Sequence, residues 1–148
     1  MKMTDEIREI INNSRVHLAT SSKDGKPNVV PVGFIEAISD HQLLIADIMF
    51  DKTRKNLEEN PRVAIAVEAL PEFKAYQLKG TATIFTSGAM LDMALDMVKR
   101  REEKRRQRYA REQIEEPDWL GKIHQIQPKA AILIEVEEIY STIVSKEW

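Results

Sequence analysis

Apolar positions recur along this chain with two different periods. In the opening stretch, MKMTDEIREIINNS, Ile7, Ile10 and Ile11 fall on one face of a helix that Asn12-Asn13-Ser14 can end. From Arg15 the period shortens to two. RVHLATSS reads as a strand with Val16 and Leu18 on one face. Lys23-Asp24-Gly25-Lys26 then reads as a hairpin turn, because Asp-Gly tolerates the positive φ that tight hairpins need. A long second strand is predicted over 28–38, apolar on both faces, and Ser39-Asp40 turns the chain into a third strand over 42–46.

Next comes a helix of about two turns, entered through DKTRKN (51–56) and stopped by Asn60-Pro61. Val63, Ile65 and Val67 alternate with Ala64 and Ala66 as a fourth strand. A fifth places Tyr76, Leu78, Ala82 and Ile84 on one face, with Gln77, Lys79, Thr81 and Thr83 opposite. Ser87-Gly88 opens a long helix, about 88–114, and the linker EEPDWLGK leads to a last strand over 130–144. The alternation of that strand changes parity at Glu137-Glu138, as a β-bulge would cause. Six strands with short connections and no βαβ repeat predict a mainly β fold: an antiparallel barrel with flanking helices. The two apolar faces of the second strand predict that its outer wall is also covered.

The totals narrow the picture. A chain of 148 residues is expected to form a single domain, and 43% apolar with 31% charged residues excludes a disordered polymer. No apolar run reaches membrane-spanning length, and the start lacks the continuous apolar stretch of a secretory signal. The absence of cysteine removes disulfides and thiolate chemistry. The expectation is a cytoplasmic protein with no membrane partner.

Two stretches carry candidate chemistry. In DKTRKN, Asp51 is a favoured N-cap, which makes Lys52 and Thr53 the first helical residues. Amides there have no helical partner and the dipole adds partial positive charge, so a phosphate is welcome, with Lys52 supplying charge and Thr53 a hydroxyl. The competing reading is that Asp51 caps its own helix and the basic residues face water. A carboxylate at that point would compete with phosphate for the same amides. The second stretch is NVVPVGFIEAI. Pro31 cannot donate to a ladder, so it marks either an edge strand or a backbone against which something other than a strand lies, such as a flat aromatic ligand.

Taken in order, ATSSKDGKPNVVPVGF, LLIAD, DKTRKNLEENPRVAI, QLKGTATIF and PKAAILIEVEEIY resemble the short FMN-binding split-barrel proteins of the pyridoxamine 5'-phosphate oxidase-like superfamily. The resemblance covers residues 15–86 and 128–140. It implies a six-stranded antiparallel split β-barrel, usually a homodimer, with FMN at or near the subunit interface. By the family pattern Val30, Pro31 and Val32 contact the flavin ring through their backbone, and Ala46, Asp47 and Ile48 line the ring and ribityl chain. Lys52 and Thr53 bind the phosphate, with Asn56 one turn on, and Gln77 and Lys79 reach the same cleft. The chain departs from relatives at Val30 and Gly33, where some carry asparagine, and at Asp51, where they carry neutral or basic residues. The implied activity is that of an oxidoreductase or electron carrier, its redox partner or nicotinamide donor unspecified. A deazaflavin- or haem-using relative on the same fold is the alternative.

His17, His41 and His124 are isolated and show no metal-ligand spacing, so no metal site is expected. Neither a Gly-rich dinucleotide fingerprint nor a Gly-x-Ser-x-Gly elbow is present. The long helix raises a rival from another class. Its stretch 99–111, KRREEKRRQRYAR, holds eight basic and two acidic side chains, leaving −8 on the rest of a chain whose total is −2. A non-enzymatic module using this helix on nucleic acid or a protein partner is the alternative, though only Tyr109 supplies aromatic interleaving. Trp119 and Trp148 lie in polar surroundings, where packing or exposure is expected before a role over a cofactor.

Overall fold

The computed structural model describes residues 2–70, 72–123 and 127–143. The chain runs α1 (Asp5–Asn13), β1 (Val16–Ser21), β2 (Pro27–Val32), β3 (Ile35–Ala37), β4 (Gln42–Asp47), α2 (Lys52–Glu59), β5 (Arg62–Ala69), β6 (Lys74–Phe85), α3 (Ala89–Glu112), α4 (Asp118–Ile123) and β7 (Ala130–Ser141). All strand pairs are antiparallel, in one sheet of order β2-β1-β5-β6-β7-β4-β3.

Seven strands replace the six expected, because the long second strand is two. It pairs with β1 as far as Val32 and with β4 from Ile35, at opposite ends of the strand order. Gly33 and Phe34 make the corner between them, and the Phe34 carbonyl accepts from the Ala46 amide at 3.0 Å. A sheet whose two end strands are consecutive in the chain must curl towards closure, and a glycine at the corner eases the bend. The outer wall also departs from expectation. Val29 is 65% exposed and Pro31 is exposed, so the outward face of β2 is left open.

The curled sheet encloses one apolar cluster, built from inward positions such as Val16, Leu18, Ile45, Ile65, Leu78, Ile132 and Ile134. Ile7 and Ile11 of α1 and Leu57 of α2 enter the same cluster, so both helices plug the barrel. Thr4 caps α1, its hydroxyl accepting from the Ile7 amide. The second cluster lies on the opposite face of β4 and β7, where Leu44, Ala46 and Ala131 meet Ala94, Met97 and Val98. The apolar first half of α3 is thus anchored on the barrel. Its basic second half is not part of either cluster.

The bulge lies where the change of parity placed it. Between Lys79 and Gly80 the register steps from Glu138 to Val136, leaving Glu137 without a Cα partner; the Thr81 hydroxyl donates to its carboxylate. The expected linker contains the short helix α4, and Trp119 within it is 60% exposed. His124, Val144 and Trp148 lie outside the described residues. None of the helices among the described residues is long and apolar enough to cross a membrane.

Candidate functional site

Helix α2 is seated on the sheet through polar contacts. Thr20 of β1 and Asn28 of β2 are register partners on the inward side, in phase with Val16 and Leu18. Asn28 Nδ2 donates to Thr53 Oγ1 at 3.1 Å and lies 3.4 Å from Thr20 Oγ1. Asn56 Nδ2 donates to Thr20 Oγ1 at 3.1 Å. Thr20, Thr53 and Asn56 are all buried, so these bonds replace water for groups that would otherwise be unsatisfied. Together with Leu57 they fix the rotation of α2 about its axis. Asn56→Ala is expected to destabilise the fold by about 1 kcal/mol, read from the urea midpoint, because Thr20 loses the nearer of its two donors in a dry site.

A second set of contacts fixes the connection from β4 into α2. Asp47 is fully buried; its Oδ2 accepts from Arg54 Nη1 at 2.9 Å and its Oδ1 from the Phe50 amide at 3.0 Å. Its carbonyl accepts from the Lys129 amide at 2.8 Å. Arg54 Nε is also bonded to Glu58, at 3.1 Å.

These constraints decide how α2 presents its N-terminus. Asp51 occupies the cap position in helical conformation (φ −116°, ψ −77°) and makes no side-chain cap bond. Its carboxylate pairs instead with Lys55, one turn on, at 3.3 Å. The reading in which Asp51 caps its own helix is therefore overturned: a residue already at αR angles does not aim its side chain at the N2 and N3 amides. Those first-turn amides have no helical acceptor and carry the positive end of the dipole. Lys52 beside them is exposed and has no carboxylate partner among the described residues. Thr53 is different, since its side chain is 2% exposed and turned inward onto Asn28.

The other candidates separate by face. Val30 and Val32 point into the barrel, whereas Pro31 points out. Pro31 lies on β2, which among the described residues pairs only with β1, so the edge-strand explanation of the proline holds. In register, Pro31 lies opposite His17, His17 opposite Ala66, Ala66 opposite Gln77, and Gln77 opposite Tyr140. The next outward row is Val29, Ala19, Ala64 and Lys79, with Lys79 Nζ 5.8 Å from the centre of the Tyr140 ring. Pro31 and Gln77 thus share one outer face, about 14 Å apart at three strand spacings. The small alanines between them leave it shallow, and a depression of about 200 Å³ lined by Arg15, His17, Ala66 and Gln77 opens along it. Ala46 does not join this face; it packs under α3, while Ile48 is half-buried in the turn beyond β4.

Sequence reasoning missed Thr20, Asn28 and Arg54. The signal for the first was present: a polar residue in phase with buried Val16 and Leu18. Arg54 had no such signal, since its partner Asp47 is defined only by the fold. Among the described residues no three His, Cys, Asp or Glu side chains gather where a metal could be held.

A curled antiparallel sheet of seven strands, plugged by two helices and flanked by a third, is a split β-barrel. Residues 3–143 match the pyridoxamine 5'-phosphate oxidase family, and the chain belongs to that family. An uncharacterized protein of Methanocaldococcus jannaschii is 33% identical over 143 residues, covering 95% of this chain and 81% of its own length. HupZ of Group A Streptococcus superposes with a TM-score of 0.70 at 26% identity, covering 95% of this chain and 94% of that one. An FMN-binding protein of Syntrophomonas wolfei gives 0.71 at 14% identity, covering 94% and 85%. The fold is shared with HutZ, the haem storage protein of Vibrio cholerae (TM-score 0.59, 20% identity, 95% of both chains). An F420 reductase also shares it (0.56, 19%, 90% and 94%).

Proposed function

We propose that this chain is a cytoplasmic flavoprotein that binds FMN non-covalently and acts as an oxidoreductase or electron carrier, as a homodimer with the cofactor at or near the subunit interface. The observation that carries the reading is the start of α2. Its cap side chain is turned away, its first-turn amides lack helical acceptors, and Lys52 stands beside them with no carboxylate partner among the described residues. Such a terminus fits a phosphate group. In this reading Lys52 and the amide of Thr53 hold the phosphate, while the Thr53 and Asn56 side chains position the helix through Thr20 and Asn28. The backbone of Val30, Pro31 and Val32 runs along an unpaired sheet edge and offers carbonyls to a flat ring. The Ala46–Ile48 segment supports the chain between ring and phosphate, and Gln77 and Lys79 approach from the outer face. Val29, Pro31 and Ala66 are exposed apolar positions on that face, which a second copy would cover.

FMN, when bound, supplies the hydride or electron transfer, and the chain's part is to hold, orient and desolvate it. Purified protein should be yellow and release FMN on denaturation. Lys52→Ala should raise the dissociation constant for FMN about tenfold or more, as expected for loss of one charge-assisted contact, without changing the melting temperature. Unchanged affinity would show that the phosphate lies elsewhere.

One observation favours a second reading, haem. His17 is half-buried on the outer face beside Ala66 and Gln77, where an imidazole can serve as an axial ligand. The absorption spectrum after adding each cofactor separates the two, and a deazaflavin would be recognised by the same titration. Haem uptake that is lost in His17→Ala, with no flavin uptake, would replace FMN in this account.

A further inference from the structure

The basic half of α3 faces the end of α1 across a groove of about 530 Å³. Arg101, Lys104, Arg105, Arg108 and Arg111 line one wall and Asn12 and Asn13 stand opposite; among the described residues no carboxylate lines it. The five cations recur at helical spacing on one face and extend over about 15 Å of helix.

This wall is not simply a solvated helix surface. Arg101 is half-buried and donates to the Ile35 carbonyl, which ties the helix to β3. Asn12 Oδ1 accepts from the Ala37 amide at 2.9 Å, so that side chain is held in place with its amide hydrogens left to donate. Arg100, just outside the groove wall, is neutralised by Asp96 and Glu36 at 3.0 and 3.2 Å. Lys104, Arg108 and Arg111 have no carboxylate partner among the described residues, whereas Arg105 is paired with Glu116 at 3.3 Å. Like charges at Lys104/Arg108, four apart on a helix, oppose helix formation. An anion in the groove would relieve that repulsion.

Size and surroundings limit the anion. The volume is that of a small-molecule site. A neighbouring groove shares Asn13 and Ser14 but is lined by Glu6, Glu9, Glu68 and Glu72 against a single Lys74, which Glu6 pairs, so a long polyanion leaving the basic wall would meet net negative charge. We propose that the α3–α1 groove binds a compact anion carrying two or more phosphates. It shares no residue with the α2 site and stands independently of the FMN reading.

Isothermal titration with inorganic pyrophosphate and with ADP, at low and at moderate salt, tests this. Both should bind, more weakly as salt rises, and the double variant Lys104→Gln/Arg108→Gln should lose at least about tenfold in affinity through two charge-assisted contacts. FMN titration of the same variant should be unchanged. Should the double variant unfold, Arg111→Gln provides the same comparison with a smaller expected loss. Equal affinity of native and variant protein overturns the proposal, as does failure of both probes to bind. Retention of a short RNA with no response to ADP or pyrophosphate overturns it too, and assigns the groove to nucleic acid.

Discussion

Gly80→Ala should destabilise this protein by about 3 kcal/mol or more, in the upper part of the range for overpacking a tight site. For a chain of this size that corresponds to a fall of roughly 10 °C in Tm. A Cβ built on Gly80 lies 2.1 Å from the Glu135 carbonyl oxygen and 3.0 Å from its carbonyl carbon. Neither atom is the end of a flexible side chain. Both belong to the backbone of β7, which is paired on its other side with β4, Gln42 opposite Glu135. To make room, β7 must move, and with it the ladder that carries Asp47 and the entrance to α2. The close approach lies at the bulge between Lys79 and Gly80, where the ladder is locally bent. Circular dichroism melting checks the expectation, and a variant melting within a couple of degrees of the native protein would show that the strands have slack there.

Removing the Asp47 carboxylate is the second large perturbation. Asp47→Ala leaves Arg54 facing an empty, dry position and strips the acceptor from the Phe50 amide. Breaking a buried pair from one side costs about 3–5 kcal/mol. Arg54 is 22% exposed and keeps Glu58, which brings the expectation to about 2–3 kcal/mol. Asp47→Leu/Arg54→Met should recover much of the loss, since an apolar pair needs no counter-charge. A double-mutant cycle on urea midpoints measures this, and purely additive losses would show that the pair is not coupled. Because the pair holds the turn into α2, Asp47→Ala should also weaken FMN retention if α2 receives the phosphate, whereas Asn56→Ala perturbs the same helix from its far side.

The first perturbation acts at a bulge the sequence revealed, the second on a pair it did not. Hydrophobic period was enough to find α1, β1, β5, β6 and the bulge, because each of these buries one face against a single neighbour and the alternation is a direct record of that. The second strand misled for the same reason. Residues 28–38 are apolar on both faces, which reads as one strand with a covered outer wall. The chain instead turns at Gly33-Phe34 and pairs at the two opposite ends of the strand order, leaving Val29 and Pro31 bare. No local pattern distinguishes a long strand from two short ones that share a corner.

The candidate site divides in the same way. Lys52 and Thr53 were legible from composition and order, since a polar helix start following an apolar strand is a local signal. What their side chains do was not. Tertiary structure turns Thr53 inward to Asn28, 25 residues away in sequence, and joins Asn56 to Thr20, 36 residues away. It buries Asp47 against Arg54 and sends Asp51 to Lys55. By itself the sequence determined most of the strands and helices, the bulge and a candidate helix terminus for an anion, because those follow from periodicity and from the chemistry of a helix terminus. Only the fold decided which carboxylate leaves the amides of α2 open and which closes on an arginine. That choice rests on burial: Asp47 lies in the dry interior, where a carboxylate must be paired, and Asp51 lies in water, where it is free to turn aside.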